Sequence, residues 1–241
     1  MFARFVRTRV RPGALHGFRG HYEDRIAPTL AATGGCRAAA LLQHVPRERD
    51  ILSLTLWSSA RQANDYDREG RFARLLNESD DYLGDEAAEG PPAAAPADDL
   101  AVEGYEAELV TPADLGPALA SSGWARTATA RVEPERLEEF DRRYRAESLE
   151  ALDFPGLRSV LLLHRHGRPT EAVGLSFWDG EEAAARYELS GRFEGLAARL
   201  DDTLVPLHRW RAGLAGASGG AGWVAPTLEV AGYRVLFSRT F

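Results

Sequence analysis

Apolar and polar residues alternate over residues 2–11 and again over 124–133, the period-two pattern of a strand with one covered face. Pro12 and Pro134 stop these runs. Apolar residues then recur at helical spacing, as Leu15, Phe18, Tyr22, Ile26 and Leu30 and later as Leu137, Phe140, Tyr144 and Leu152. Gly34-Gly35 and Pro155-Gly156 end those helices. Second strands follow at 38–44 and 159–165, turn-like breaks at 46–50 and 167–169, and third strands at 51–57 and 172–178. A second helix starts near Ala60 and near Gly180, carrying Tyr66 and Phe72 in one place and Tyr187 and Phe193 in the other. Last strands lie at 100–110 and 228–238. The order is β-α-β-β-α-β, written twice.

The residues themselves repeat. Phe2-Ala3-Arg4 answers to Trp124-Ala125-Arg126, Phe18 to Phe140 and Tyr22 to Tyr144, all 122 positions on. The offset then falls to 121 and stays there for Trp57 and Trp178, Tyr66 and Tyr187, and Gly70-Arg71-Phe72 and Gly191-Arg192-Phe193. We therefore expect an α+β chain of two tandem ferredoxin-like (split βαβ) repeats, 1–110 and 122–241, joined by a link at 111–121. A sheet with helices on one face must cover the other. Two copies supply that cover mutually, so their antiparallel sheets are expected to pack as an intramolecular dimeric α+β barrel. The acidic, Ala/Pro-rich stretch 84–99 and the Gly-rich 216–222 read as flexible loops before each last strand.

Composition narrows the chemistry. A net charge of −7 argues against nucleic acid as a partner. All 29 basic residues are arginine, which excludes a Schiff-base lysine and a Walker phosphate loop. Cys36 stands alone, so there is no intrachain disulfide and no cysteine-built zinc site; it reads as a small buried residue. No apolar run resembles a signal peptide or membrane span, and a cytoplasmic protein without membrane contact is expected.

Three features present in both halves carry a resemblance. The third strand closes on Trp, as Leu54-Thr55-Leu56-Trp57 and Leu175-Ser176-Phe177-Trp178; the next helix carries an aromatic and then Gly-Arg-Phe; a trailing strand follows. Together they resemble the antibiotic biosynthesis monooxygenase group of the dimeric α+β barrel superfamily, over nearly the whole chain. The resemblance implies a site between helices and sheet and oxidation of phenolic small molecules by molecular oxygen without a cofactor. It also implies that this chain is a pseudo-dimer alone, or a homodimer of such pseudo-dimers. In that family the site uses the Trp, an Asn four residues before it and a Tyr six after. Here those positions hold Trp57, Ser53 and Ala63 in one half, and Trp178, Gly174 and Ala184 in the other. The His of haem-degrading relatives has no counterpart in the second helices, and His208 is the nearest to one in the second half.

An enzyme is expected, with Trp57 and Ser53 as catalytic candidates at positions that the resemblance implies. Tyr66, which borders the expected pocket, and His21, a general-base candidate beside Tyr22, are catalytic candidates read from the residues themselves. Trp178, Tyr187, Arg4, Arg126 and Tyr22 are substrate-binding candidates. Each Trp either stacks a substrate or packs a helix on the sheet. Arg4 and Arg126, if buried, should pair with an acid or bind an anion. His164 and His166 share a strand face, either as metal ligands or as a solvated pair, and the second is expected. The alternative function is a non-catalytic small-molecule-binding or stress-associated protein, with haem binding a distant third.

Overall fold

The computed structural model describes residues 1–45, 47–84, 100–109, 115–205 and 229–241. The loop at 85–99, residues 110–114 of the link, the stretch 216–222 and His208 lie outside the described residues. Two compact units form, Met1–Tyr105 with Arg234–Phe241, and Glu106–Tyr233. The division falls within the last strand of each repeat, so each of those strands gives residues to both units.

The first unit is built from β1 (Phe2–Arg9), α1 (Leu15–His21), a π-helical turn (Tyr22–Ile26), α2 (Ala27–Ala31), β2 (Cys36–Val45), β3 (Asp50–Trp57), α3 (Ala60–Arg68), α4 (Arg71–Glu78) and the start of β4 (Leu100–Leu109). β3 lies antiparallel between β1 and β2. The second unit repeats the plan. It holds α5 (Leu115–Ala120), β5 (Trp124–Arg131), α6 (Leu137–Ala151), β6 (Leu157–Arg165), β7 (Arg168–Trp178), α7 (Glu181–Leu189), α8 (Arg192–Leu200) and the start of β8 (Glu229–Thr240). There β7 is central and antiparallel to β5 and β6. Both units are ferredoxin-like α+β. Within the first unit the hydrogen-bonded strand order is β4-β1-β3-β2-β8, and within the second it is β8-β5-β7-β6-β4, each unit using its own part of β4 and β8.

The register agrees between the halves down to its irregularities. Trp57 faces Phe2 and Cys36, and Trp178 faces Trp124 and Leu157, with a shift of register just after Cys36 and just after Leu157. Three details were not expected. The single second helix of each half is two: Gly70 and Gly191 take φ +71° and +76°, a left-handed geometry that glycine adopts without penalty, and the helix restarts at the following Arg. Part of the link folds as α5, with Leu119 buried.

The third detail explains the change of offset. The buried residues along the first helical segment are Phe18, Tyr22, Ala27 and Leu30; along α6 they are Phe140, Ser148 and Ala151, with Tyr144 at the place of Tyr22. From Tyr22 to Ala27 is one residue more than from Tyr144 to Ser148. A π turn absorbs one extra residue without losing the buried stripe on either side of it. The first copy carries that residue at Tyr22–Ile26.

Candidate functional site

Each unit contains a cavity between its sheet and its helices. In the first, the sheet side comes from Arg4, Val6 and Thr8 of β1 and Ile51, Ser53 and Thr55 of β3. Alternation puts these on one face. The helices supply Phe18, Tyr22, Tyr66, Phe72 and Leu75, and the cavity volume is about 70 Å³. Two polar arrangements sit in this otherwise apolar space. The Tyr22 hydroxyl and Ser53 Oγ share a hydrogen bond of 2.9 Å. Arg4 is buried, with its guanidinium paired to Asp67 and lying 4.2 Å from the centre of the Phe72 ring. Burial pushes the Tyr22 phenol well above its usual range, against a smaller lowering by Ser53. Burial raises Tyr66 too, with Arg4 partly opposing it. Both phenols are therefore neutral donors at neutral pH.

The second cavity, about 50 Å³, is lined by Arg126, Phe140, Tyr144, Gly174, Ser176, Trp178, Tyr187 and Phe193 among others. Arg126 repeats Arg4: it is buried, bonded to Glu188 at 2.9 Å and 3.9 Å from the Phe193 ring centre. Here the strand position of Ser53 is Gly174. A Cβ on Gly174 would overlap the Tyr144 hydroxyl, and burial raises that phenol's pKa against a smaller lowering by Ser148 on the same helix. The extra residue of the π turn separates the two arrangements. The register that brings Ser148 beneath the sheet in α6 brings Ala27 there in the first unit, and Tyr22 turns to Ser53.

The structure thus brings Ser53, Tyr22, Tyr66 and Arg4 to one wall, and Trp178, Tyr187 and Arg126 to another. Trp57 is fully buried; its Nε1 donates to Thr55 Oγ1 at 2.9 Å and its ring lies 5.2 Å from Tyr66. It supports two wall residues without reaching the wall itself. His21 is also off the wall, stacked 5.3 Å from Tyr82, with Nε2 buried and unpartnered. Ala63 and Ala184, at the place of the family's Tyr, are buried on α3 and α7. Sequence reading missed the stacking of each Arg on the Phe of Gly-Arg-Phe. The repeated Arg and the repeated Phe were its only signal.

His164 and His166 go to separate carboxylates. His164 Nε2 makes a charge contact with Asp141 at 2.9 Å while Nδ1 lies 2.7 Å from the Pro169 carbonyl; His166 Nδ1 is 3.0 Å from Glu106. Among the described residues no cluster of three or more His, Cys, Asp or Glu is placed to hold a metal. Cys36 is buried, which pushes its thiol up to about 12.

The histidines give a pH prediction. Burial disfavours the charged His164 ring, but Asp141 and the Pro169 carbonyl outweigh it and raise its pKa above 6.5. That pair stabilises the fold fully below about 6.5, and the contribution is lost as pH rises through the folded-state value. His21 is shifted down, mainly by burial, so its contribution runs the other way and is lost as pH falls below 6.5. NMR titration of the imidazoles should find His164 protonating at a higher pH than His21. The reverse order would contradict the placement of both rings.

Among the described residues no helix is long and apolar enough to cross a membrane. Residues 1–76 match the family model for antibiotic biosynthesis monooxygenase, the group that the Trp-closed strands and Gly-Arg-Phe helices resembled. Solved structures extend the likeness over the whole chain. A candidate monooxygenase from Fusobacterium nucleatum is 10% identical with a TM-score of 0.67, over 99% of this chain and 94% of the other. One from Lactobacillus acidophilus is 9% identical with a TM-score of 0.67, over 99% and 95%. An anthrone oxidase-like protein is 13% identical with a TM-score of 0.59, over 99% and 92%. At such identities the likeness is one of fold. No curated protein matches the chain.

Proposed function

We propose that the chain, whose residues 1–76 match the antibiotic biosynthesis monooxygenase family model, is a cofactor-independent monooxygenase acting on a small phenolic molecule in the first unit. The observation that supports this most is the Tyr22–Ser53 hydrogen bond inside a cavity that also holds Arg4 and Tyr66. A phenol placed there meets a buried cation and neutral donors. The Arg4 charge favours the phenolate, which is the electron-rich form that oxygen attacks. Tyr22, fixed by Ser53, and Tyr66 then donate to the oxygen that gains charge. An activated methylene para to the phenolate supplies the four electrons. Its carbon becomes a carbonyl, with one oxygen atom from dioxygen, and the other leaves as water. At about 70 Å³ the cavity encloses part of a single ring, and a fused system would project further out of it.

The second unit lacks this arrangement, because Gly174 gives the substrate no hydroxyl and the Tyr144 hydroxyl occupies the space above it. One observation favours the second reading, a binding protein without catalysis: no side chain on the first wall is a base at neutral pH, since Tyr22 and Tyr66 are held protonated and His21 faces elsewhere. The two readings part in an oxygen electrode with a panel of single-ring phenols. The enzyme reading expects uptake, and it expects Tyr22→Phe and Ser53→Ala each to cut kcat by about tenfold, the value of one charge-directed hydrogen bond. Uptake that is absent across the panel, or unchanged in both variants, removes it.

A further inference from the structure

The same buried atom lacks an acceptor in both units. Arg4 and Arg126 are each 5% exposed, and the Nε of each has no hydrogen-bond partner. A guanidinium N–H can only donate, and a donor buried unpaired is costly, so this is an unusual thing to find at matching positions of two repeats. Nothing lets either group turn away to find an acceptor. One nitrogen is held by a carboxylate, Asp67 or Glu188, and the planar face rests on Phe72 or Phe193. Both carboxylates are half-exposed, with side chains 42% and 46% open to solvent, so part of their charge is screened while the guanidinium is not. Each arginine also lines its cavity.

We infer that each cavity is a binding site for the anionic head of a small aryl acid, its carboxylate accepting from the unpaired Nε–H of Arg4 or Arg126 and its ring lying among the aromatic walls, so that one chain holds two such molecules. A carboxylate satisfies the orphan donor with a charge-assisted bond, which an uncharged ligand does not. Cavity volumes of about 70 and 50 Å³ take the head group and part of one ring. A closed cavity for a whole benzene is about 150 Å³, so the ring reaches toward the mouth. Burial lowers the Arg126 pKa more than Glu188 raises it, and a second anion would relieve that imbalance. The inference uses the cavities of the proposed monooxygenase but not its chemistry. It applies equally to the second unit, where the Tyr22–Ser53 arrangement has no counterpart.

The test is calorimetric titration of the full chain with benzoate, alongside ¹⁵N–¹H spectra of the arginine Nε–H groups. Two sites per chain are expected, with two Nε–H resonances shifting on titration. Benzamide and benzyl alcohol should bind at least tenfold more weakly. Arg4→Lys, which keeps the charge and removes Nε, should leave one site and abolish one of the two shifts. If that variant does not fold, the resonances of the unaltered chain decide. Equal binding of the neutral analogues, a single site, or heat without any Nε–H shift would each overturn the inference, water then being the partner of both nitrogens. Oxygen uptake is measured separately on phenols. Its failure leaves benzoate binding standing, and absent benzoate binding leaves uptake untouched.

Discussion

Replacing Trp57 with alanine should lower the unfolding free energy by about 3–5 kcal/mol, the range for truncating a large core aromatic. The indole is wholly buried at the end of β3, between the β1 and β2 residues Phe2 and Cys36, and packs with Ala63 and Tyr66 of α3. Truncation would open a void where strand end, helix and neighbouring strands meet, and the fixed ends of three strands cannot close it. It would also leave Thr55 Oγ1 without the indole donor. Trp178→Ala should cost a similar amount, since Trp178 bonds Ser176 at 2.9 Å and packs against Tyr187 and Phe154 in the same manner. Denaturant unfolding of both variants checks this. A loss below about 1 kcal/mol at either site would mean that the strand end repacks, contrary to the close contacts described. Trp57→Phe separates support from contact with substrate. It keeps most of the ring and loses one hydrogen bond, for about 1 kcal/mol. Because Trp57 stands behind the wall, this change should alter oxygen uptake less than Ser53→Ala does.

Much of the fold was legible because it depends on local periodicity. Strand alternation and helix stripes depend on neighbours in sequence, and writing the pattern twice made each copy a check on the other. The resemblance drawn from Trp57, Trp178 and the Gly-Arg-Phe segments led to the family whose model matches residues 1–76. What escaped were features that depend on a single residue's backbone or on contacts through space. Gly70 and Gly191 were visible as part of a motif, but that each ends one helix and begins another follows from a positive φ, which composition alone does not require. The drop of the repeat offset from 122 to 121 announced one extra residue in the first copy, somewhere between Tyr22 and Trp57. It did not say that a π turn would take it in, nor that Tyr22 would thereby meet Ser53. Arg4 and Arg126 were recognised as needing acids. Their acids, Asp67 and Glu188, lie on the far helices at matching positions, and no spacing rule links a strand residue to a helix sixty positions on. His21 shows the converse. Its place beside Tyr22 suggested a base for the site, but adjacent helix residues face different ways, and the ring lies on Tyr82 instead.

The difference between the two cavities can be tested by giving the second the residue of the first. Gly174→Ser should destabilise the chain by about 1–3 kcal/mol, the cost of forcing extra atoms into a filled space. The new Cβ would fall on the Tyr144 hydroxyl, which would have to move aside or push α6 from the sheet. Tyr144→Phe removes the obstructing oxygen at the cost of about one hydrogen bond. The double variant should therefore recover most of the loss, leaving a favourable coupling of about 1 kcal/mol or more in a double-mutant cycle. Additive losses would mean that the hydroxyl is not what occupies the space above Gly174. Coupling in the second unit, set beside the Tyr22–Ser53 bond in the first, would show one strand position doing two jobs. As serine it orients a phenol toward the cavity, and as glycine it makes room for one, with a single extra residue in the first helix deciding which.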